Sequence, residues 1–365
     1  MLHSHFERLR PVCLVCRASG QPHELAINLV EAETAGDVRM GILGCPHCGA
    51  EFPIIDGLPI IVPDVRRYIQ DSSFYLLTRN DLTPAIESLL GDAAGPNTVV
   101  DSVRQHLSSY AWDHWADRDP QEHREEAKPA PGAIARTVEA GLAILPPVLP
   151  PGPLLDIGCG GGRSVVELAR RTGRMTLGID ISVPLARLSR QAAVERRMSY
   201  PRRRIGLVYD RRAFDLALDL APDAVDIWIC DALALPFADR TFGLVAGFNV
   251  VDCLSDPRAG VTEIARVLEA GGATLLSTPF DWSGNVTPVT SWLGGHSQRG
   301  EHGGSGEAVL DMLLSDGALG VGGLRKNNSA AHVPWHVRLH DRAFMHYQAY
   351  VVTALKGDDP GRTGG

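Results

Sequence analysis

Four of the seven cysteines stand in two Cys-x-x-Cys pairs near the amino terminus, Cys13 with Cys16 and Cys45 with Cys48. Each pair can direct two thiolates at one point, and two pairs complete the tetrahedral sulfur set of a structural zinc site. A redox motif needs only one such pair at a strand–helix junction, so the doubled pattern favours zinc. The other three cysteines stand singly, which argues against a disulfide framework.

A second candidate site is the glycine turn of residues 158–162, which follows an apolar segment predicted as a strand. Residues 164–171 have helical spacing. A strand–glycine–helix junction lets a ligand approach the backbone and meet the amide groups at the helix amino terminus. Asp180 ends the next predicted strand, 22 residues after Gly158. Folds of this kind place a carboxylate on ribose hydroxyls at that separation.

The glycine pattern resembles the first motif of class I S-adenosylmethionine (SAM) methyltransferases, Asp/Glu-x-Gly-x-Gly-x-Gly. The dinucleotide-binding fingerprint requires glycine where this chain has Arg163. In the methyltransferase family the leading acid of the motif corresponds to Asp156, and the ribose-binding carboxylate corresponds to Asp180. The resemblance implies a cofactor site formed by Asp156, Gly158, Gly160, Gly162, Asp180, Ile181, Asp231, Ala232 and Asn249.

Three later segments extend this resemblance in the same order as in the family. Residues 226–237 resemble the third strand with its Asp-Ala pair, and in relatives that aspartate accepts from the adenine amino group. Residues 239–245 resemble the entry into the fourth strand, with Gly243 in place of the usual aspartate. Residues 263–276 match a helix, a Gly-Gly turn and the fifth strand. The resemblance implies an α/β fold with a Rossmann-like, seven-stranded core of the methyltransferase type 11 kind.

Residues 50–62 are predicted as two short apolar strands joined by the Asp56-Gly57 turn. Together with the two cysteine pairs, they resemble the zinc-ribbon activators of tRNA, rRNA and release-factor methyltransferases over residues 11–63. In that family the ribbon buries an apolar face of a methyltransferase. The resemblance implies that ribbon and methyltransferase are here fused in one chain.

The predicted organisation is a zinc ribbon, a helical connector and a SAM-binding domain. Helical patches are expected at 83–90, 97–110 and 132–145, and again at 306–314. The aromatic segment 110–115 either covers the substrate or docks the connector on the core. The proposed boundaries are 1–63 for the ribbon, 64–150 for the connector or substrate cap, and 151–365 for the SAM-binding domain, which contains an arginine-rich insertion at 196–212 and a glycine-rich loop, a candidate lid, at 294–306.

Composition limits the function classes. The chain has 365 residues, 44% of them hydrophobic, which is enough for one large core or two unequal cores. Its formal net charge of −8 gives no global argument for nucleic-acid binding. The sequence contains no apolar run approaching the roughly 20 residues of a membrane-spanning helix, and the first residues lack the apolar stretch of a signal peptide. We therefore expect a cytoplasmic protein without a membrane partner.

The arginine-rich insertion is a local exception to that charge balance, with seven arginines between Arg196 and Arg212. These guanidinium groups could hold RNA phosphates or the carboxylates of an acidic peptide. They could equally form a solvated helix face paired with Glu195, Asp210 and Asp215. The sequence leaves the three alternatives open.

Three functional hypotheses follow. The first is methyl transfer from SAM to an oxygen or nitrogen acceptor on a small metabolite, biosynthetic peptide or natural product. The second is methylation of RNA or a translation factor, with the ribbon and the arginines docking the substrate. Residues 247–252 lack the Asn-Pro-Pro-Tyr of enzymes that methylate planar nitrogens, which counts against base-amino and glutamine methylation. The third is a non-enzymatic module that keeps the SAM fold. The sequence identifies no catalytic base and predicts no oligomeric state.

Overall fold

The computed structural model describes residues 1–79, 82–123 and 129–357 and has a mixed α/β architecture. The helices are α1 (His3–Leu9), α2 (Leu14–Ala18), α3 (Val65–Leu77), α4 (Pro84–Ala94), α5 (Val99–Trp115), α6 (Ala133–Ala143), α7 (Arg163–Thr172), α8 (Val183–Ala193), α9 (Pro257–Val267) and α10 (Gly306–Leu313). The strands are β1 (Ala26–Thr34), β2 (Asp37–Gly44), β3 (Glu51–Ile55), β4 (Leu58–Ile61), β5 (Leu154–Ile157), β6 (Thr176–Asp180), β7 (Arg197–Ile205), β8 (Val208–Asp215), β9 (Val225–Cys230), β10 (Phe242–Phe248), β11 (Leu268–Thr278), β12 (Leu324–His340) and β13 (Ala343–Lys356).

The expected seven-stranded core is present and has the strand order β9-β6-β5-β10-β11-β13-β12. Strands β5, β6, β9, β10 and β11 pair in parallel, and β13 lies antiparallel to both β11 and β12. Strands β5, β6, β9 and β10 are buried along their whole length, as strands covered by helices on both faces must be. The chain runs outward from β5 through β6 to β9 and then returns to β10 on the other side of β5. This reversal creates the crevice in which open α/β sheets bind ligands.

The amino-terminal strands continue the core sheet rather than forming a separate one. Strand β4 pairs in parallel with β9, with Ile60 opposite Ile229, so the sheet has eleven strands in the described part of the chain. Asp56 and Gly57 have φ angles of 54° and 78° and form the expected turn between β3 and β4. Strands from before and after residue 63 thus belong to one sheet. A domain boundary at residue 63 therefore stays a prediction.

A buried ionic contact connects this amino-terminal part to the core. The Arg190 guanidinium on α8 donates to Asp226 at the start of β9, at 3.0 Å, and also to Asp37 on β2. Arg190 is 2% exposed and Asp226 is fully buried. The Met1 amine, also buried, lies 2.8 Å from Asp37 and acts on the same two carboxylates, so the cluster couples β2 to the core sheet.

The arginine-rich insertion is a β-hairpin, so of the three alternatives left open, the solvated helix face is wrong in its secondary structure. Strands β7 and β8 form their own two-stranded sheet. Burial alternates along β7, where Met198 and Tyr200 face inward. Residues two apart in a strand share a face, so both side chains pack against α5 and α8. In a helix, residues two apart would point to different faces.

Two glycine-containing segments were also expected from the sequence. The Gly-Gly pair at 271–272, expected as a turn before the fifth strand, lies inside β11, where the pairing with β10 shifts register. The glycine-rich segment 294–306 contains a single short 3₁₀ turn and precedes α10 as expected. Among the helices of the described ranges, none is long and apolar enough to span a membrane.

Candidate functional site

The four amino-terminal cysteines lie together. Cys13 and Cys16 belong to the start and first turn of α2, while Cys45 and Cys48 lie in the turn after β2. All four sulfur atoms lie within 4.8 Å of one another, and the Cys13–Cys48 and Cys16–Cys45 sulfur distances are 3.6 Å. A tetrahedron with zinc–sulfur bonds of about 2.3 Å has sulfur–sulfur edges of about 3.8 Å, so these residues fit a zinc ion. Such an ion would cross-link α2 to the turn after β2.

A cavity of about 560 Å³ lies at the carboxyl ends of β5, β6, β9 and β10. It therefore occupies the crevice that the strand reversal creates. Its volume is in the range that holds drug-sized ligands and cofactors. Six of the nine cofactor residues expected from the sequence line this cavity: Gly158, Asp180, Ile181, Asp231, Ala232 and Asn249. Asp156, Gly160 and Gly162 lie outside its lining.

Asp180 is held at the end of β6 by backbone amides. Its Oδ2 accepts from the Gly160 N–H at 2.9 Å and its Oδ1 accepts from the Ser182 N–H at 2.9 Å. Burial raises the pKa of Asp180 to about 6, although these amide hydrogen bonds oppose the shift. The carboxylate is thus ionised at neutral pH, with lone pairs left to accept from a ligand in the cavity.

Asp156 lies beneath the glycine turn rather than in the cavity. It is fully buried, and its Oδ2 accepts from the Ser164 hydroxyl at the start of α7. Burial raises the pKa of Asp156 to about 7, against the effect of that hydrogen bond. Asp156 therefore connects β5 to the first turn of α7 and supports the loop from below.

The connector helix α5 lies directly on the glycine turn. A Cβ atom added at Gly160 would lie 3.0 Å from the Tyr110 ring, and one added at Gly161 would lie 2.7 Å from the His114 ring. Trp115 donates its indole N–H to the Gly161 carbonyl at 2.6 Å. The turn needs glycine for a second reason, because Gly160 has φ of 54°. The close approach of α5 thus depends on the absence of side chains in the turn.

His114 is fixed in one protonation state by the same packing. Its Nδ1 accepts from the Arg163 N–H at 3.2 Å, so the proton of the neutral ring is on Nε2. Burial lowers the pKa of His114 to about 3, and the neighbouring Arg163 charge acts in the same direction. His114 therefore faces the cavity as a neutral hydrogen-bond donor and not as a proton acceptor.

Asp231 and Asn249 are also oriented by local contacts. Asp231 accepts from the Leu233 N–H through Oδ1 at 2.8 Å, which leaves its second oxygen for a ligand. Asn249 has φ of 52°, and its Oδ1 accepts from the Ser277 hydroxyl at 2.9 Å. That contact leaves the amide NH₂ of Asn249 as the donor on the cavity side.

Sequence reasoning missed most of the cavity wall opposite the cofactor residues. In the aromatic segment of α5, Trp112 and Trp115 are buried against the core and Tyr110 lines the cavity, while the role of covering a substrate stays a prediction. The glycine-rich segment 294–306 supplies none of the described lining residues. The missed residues lie far apart in sequence: Asp113 and His114 on α5, Asp252 and Asp281 after β10 and β11, Trp335 on β12 and Tyr347 on β13.

The cavity has an uneven charge distribution. Five aspartates line it, and among the described residues that line it none is a lysine or an arginine. Two of the aspartates retain a carboxyl oxygen without any hydrogen-bond partner, Oδ1 of Asp113 and Oδ1 of Asp252. A cavity of this kind favours cationic ligands and hydrogen-bond donors and opposes phosphates and carboxylates.

The arginines of the hairpin are largely occupied by acidic and backbone groups of the connector and the hairpin itself. Arg202 donates to Glu122 and to Asp341, each at 2.8 Å, and Arg212 lies 3.7 Å from Asp119. Other guanidinium groups have equally specific partners: Arg196 with the Leu220 carbonyl, Arg203 with Gln105, Arg204 with Asp210 and Arg211 with Glu87. The contacts with Glu87, Gln105, Asp119 and Glu122 attach the hairpin to the helical connector.

Comparison with known proteins places a methyltransferase match in the middle of the chain. Residues 155–276, about a third of the sequence, match the family model described as a methyltransferase domain. Methyltransferase GfsG of Streptomyces halstedii is 32% identical over 119 residues, which are 33% of this chain and 34% of that protein. The 27-O-demethylrifamycin SV methyltransferase of Amycolatopsis mediterranei is 30% identical over 123 residues, 34% of this chain and 37% of that protein.

The demethylmenaquinone methyltransferase of Lactiplantibacillus plantarum is 29% identical over 143 residues, 38% of this chain and 50% of that protein. The chain thus spans between a third and a half of these relatives. Among solved structures, the cyclase SpnF is 18% identical with a TM-score of 0.44, covering 75% of this chain and 97% of that chain. The complex of the Haloferax volcanii Trm112 methyltransferase activator with a methyltransferase has 16% identity and a TM-score of 0.39, covering 61% and 89%.

Proposed function

We propose that the protein is a SAM-dependent methyltransferase whose acceptor is an oxygen or nitrogen atom of a small metabolite, a biosynthetic peptide or a natural product. The observation that carries the proposal is the aspartate-lined, cation-free cavity at the carboxyl ends of the core strands. SAM carries its methyl group on a positively charged sulfur, which such a cavity attracts. The methyltransferase match over residues 155–276 supports the same conclusion.

In this proposal the cofactor residues divide the binding task. Asp180 accepts from the ribose hydroxyls and Asp231 from the adenine amino group, while Asn249 donates its amide hydrogens. The glycine turn allows the backbone to approach the ligand closely. Helix α5 covers the turn and excludes water from it. The acceptor is held in line with the methyl group by the walls of the same cavity.

In the same proposal the zinc ion has a structural role. With four cysteine ligands its coordination is complete, so it holds α2 against the turn after β2 and takes no part in methyl transfer. The ribbon, in turn, covers the edge of the core sheet, because β4 pairs with β9.

The alternative of an RNA substrate has fewer arginines available for phosphate contacts than the sequence suggests. The arginines proposed for phosphate contacts, Arg202 and Arg212 among them, are paired with carboxylates of the connector. A cavity with five aspartates also opposes the entry of a phosphodiester. No specific observation therefore favours RNA over a small molecule.

The test is transfer of radiolabelled methyl from SAM into extracts divided into small-molecule, protease-sensitive and nuclease-sensitive fractions. We expect label in the small-molecule or short-peptide fraction with the wild-type protein. The Asp231→Ala variant should bind SAM more weakly and lose that label. Failure of the wild-type protein to bind SAM, or label only in the nuclease-sensitive fraction, would refute the proposal.

A further inference from the structure

Asp113 on α5 is a buried carboxyl group that none of the cofactor roles uses. It is 4% exposed and lines the cavity opposite the cofactor residues. One of its oxygens accepts from the Trp335 indole, and the other, Oδ1, has no hydrogen-bond partner. A buried acceptor without a partner is rare in folded proteins, so such a group calls for a ligand or a proton.

The surroundings of Asp113 contain few groups that could stabilise its charge. Arg136 on α6 is the cation that acts on it, and that guanidinium lies outside the cavity lining. The other titratable groups that line the same cavity are four carboxyl groups, two tyrosines, two cysteines and one histidine: Asp180, Asp231, Asp252, Asp281, Tyr110, Tyr347, Cys230, Cys253 and His114. His114 is neutral and donates. None of these groups neutralises a carboxylate.

Asp252 differs from Asp113 in its attachments, although both retain an unpartnered oxygen. Its Oδ2 accepts from the Asp281 N–H at 2.7 Å, and Asp281 in turn accepts from the Tyr347 hydroxyl at 2.7 Å. This chain of contacts ties Asp252 to the segment after β11. Asp113 has no comparable backbone contact, so it is the freer of the two carboxyl groups.

We infer that Asp113 receives the proton of the acceptor during methyl transfer, and that the acceptor is a neutral or cationic molecule presenting a hydroxyl or amine. The inference rests on the proposed function. The acceptor's oxygen or nitrogen forms a bond to the methyl carbon, and the carbon–sulfur bond breaks with its electron pair remaining on sulfur. The acceptor's proton passes to the Asp113 carboxylate, so that charge and atoms balance.

Among the described residues, Arg136 is the cation that acts on Asp113. The ionisation of Asp113 therefore depends strongly on whether a positively charged ligand is bound in the cavity. Burial raises the pKa of Asp113 well above its usual range, which favours the protonated form when no ligand is bound. The positive charge of bound SAM would lower that pKa and favour the carboxylate. Once that charge is lost by methyl transfer, Asp113 would regain its affinity for a proton. The group is thus a base only while a methyl group is available.

The test uses calorimetry on the full chain, titrated with SAM and with S-adenosylhomocysteine, which lacks the positive charge. Each titration is repeated in buffers of different ionisation enthalpy, so that proton release is measured directly. We expect SAM to release up to about one more proton than S-adenosylhomocysteine at neutral pH from the wild-type protein. Asp113→Asn should abolish that difference, and Asp252→Asn should keep most of it.

The outcomes separate the two proposals. If SAM binds and the wild-type protein releases the same number of protons with both ligands, the role of Asp113 is wrong. A difference that persists in Asp113→Asn and disappears in Asp252→Asn also overturns it. If neither ligand binds, the proposed function itself fails.

A second readout addresses the acceptor class. Labelled small molecules from the extract assay are separated by ion exchange. Neutral or cationic products are expected, and products that are exclusively anionic would overturn the inference. For the neutral or cationic product, Asp113→Asn should lower kcat by about 10²- to 10⁴-fold and should raise the dissociation constant of SAM by a much smaller factor. An unchanged kcat would contradict the proton-accepting role.

Discussion

Substitution of Asp180 by asparagine tests the cofactor site most directly. The carboxylate accepts from two backbone amides, those of Gly160 and Ser182, and retains lone pairs toward the cavity. Asparagine has one acceptor oxygen instead of two and no charge. Loss of charge-assisted hydrogen bonds to ribose is worth about 1.5–3 kcal/mol, so SAM affinity should fall about 10- to 150-fold.

The pH dependence of SAM affinity is a second, independent test of the role of Asp180. Burial raises the pKa of Asp180 to about 6, and the ionised form is the one that binds. Binding affinity supported by Asp180 is therefore present above about pH 6 and is lost as the pH falls through that value. The ionised fraction falls about tenfold for each pH unit below the pKa. The Asp180→Asn variant should lack this component, so the ratio of the two affinities should shrink toward acidic pH.

Isothermal calorimetry with SAM over a pH series measures both effects, and thermal unfolding of each variant checks that it folds. Asp71→Asn is the matched control, because Asp71 is exposed on α3 and pairs only with Arg67, at 3.3 Å. The reasoning is refuted if the Asp180→Asn affinity stays within about threefold of wild type at neutral pH. Parallel pH profiles for the two proteins would refute it as well.

Four further predictions concern stability and metal content. The purified protein should contain about one zinc per chain, and chelation should lower its melting temperature. Gly161→Ala should cost about 1–3 kcal/mol and weaken SAM binding, because its Cβ would lie 2.7 Å from His114; full stability would contradict the packing of α5. Arg190→Ala should cost up to about 3 kcal/mol in urea unfolding, since the buried Asp226 loses one cationic partner and keeps the Met1 amine; unchanged stability would contradict this role. Asp156 has a pKa raised to about 7, so the folded state retains a proton that the unfolded chain releases near pH 4, and stability falls as pH rises through this interval. Asp156→Asn should remove up to about 4 kcal/mol of that fall between pH 4 and 8, and an unchanged slope would contradict it.

Short-range patterns were sufficient for the elements that carry the candidate cofactor residues. The glycine turn lies between β5 and α7 as expected, and Asp180 ends β6. These features depend on neighbours in the chain: an apolar run, residues that tolerate positive φ, and a following helical period. The same holds for the two cysteine pairs, since each pair belongs to one local turn. Their meeting in one cluster was inferred from the doubled pattern, and the structure places the sulfur atoms at distances that fit zinc.

The arginine-rich insertion shows where local reading failed. Its charges suggested a helix face or a phosphate-binding patch, yet Arg202 pairs with Glu122, 80 residues earlier, and with Asp341, 139 residues later. Neither partner can be recognised from the sequence around Arg202. The alternation of buried Met198 and Tyr200 with polar residues was the available signal for a strand.

The sequence by itself determined the type of core, the glycine turn with its acidic partners, and the two cysteine pairs. Each of these features depends on residues that are close together along the chain. Only the tertiary structure decided that β4 joins the core sheet and that α5 lies on the glycine turn. It alone decided that Asp113 faces the same cavity as Asp180, and that the lining formed by the described residues contains no lysine or arginine. Those features arise from contacts between segments far apart in sequence, where burial and the absence of a partner set the chemistry of each carboxyl group.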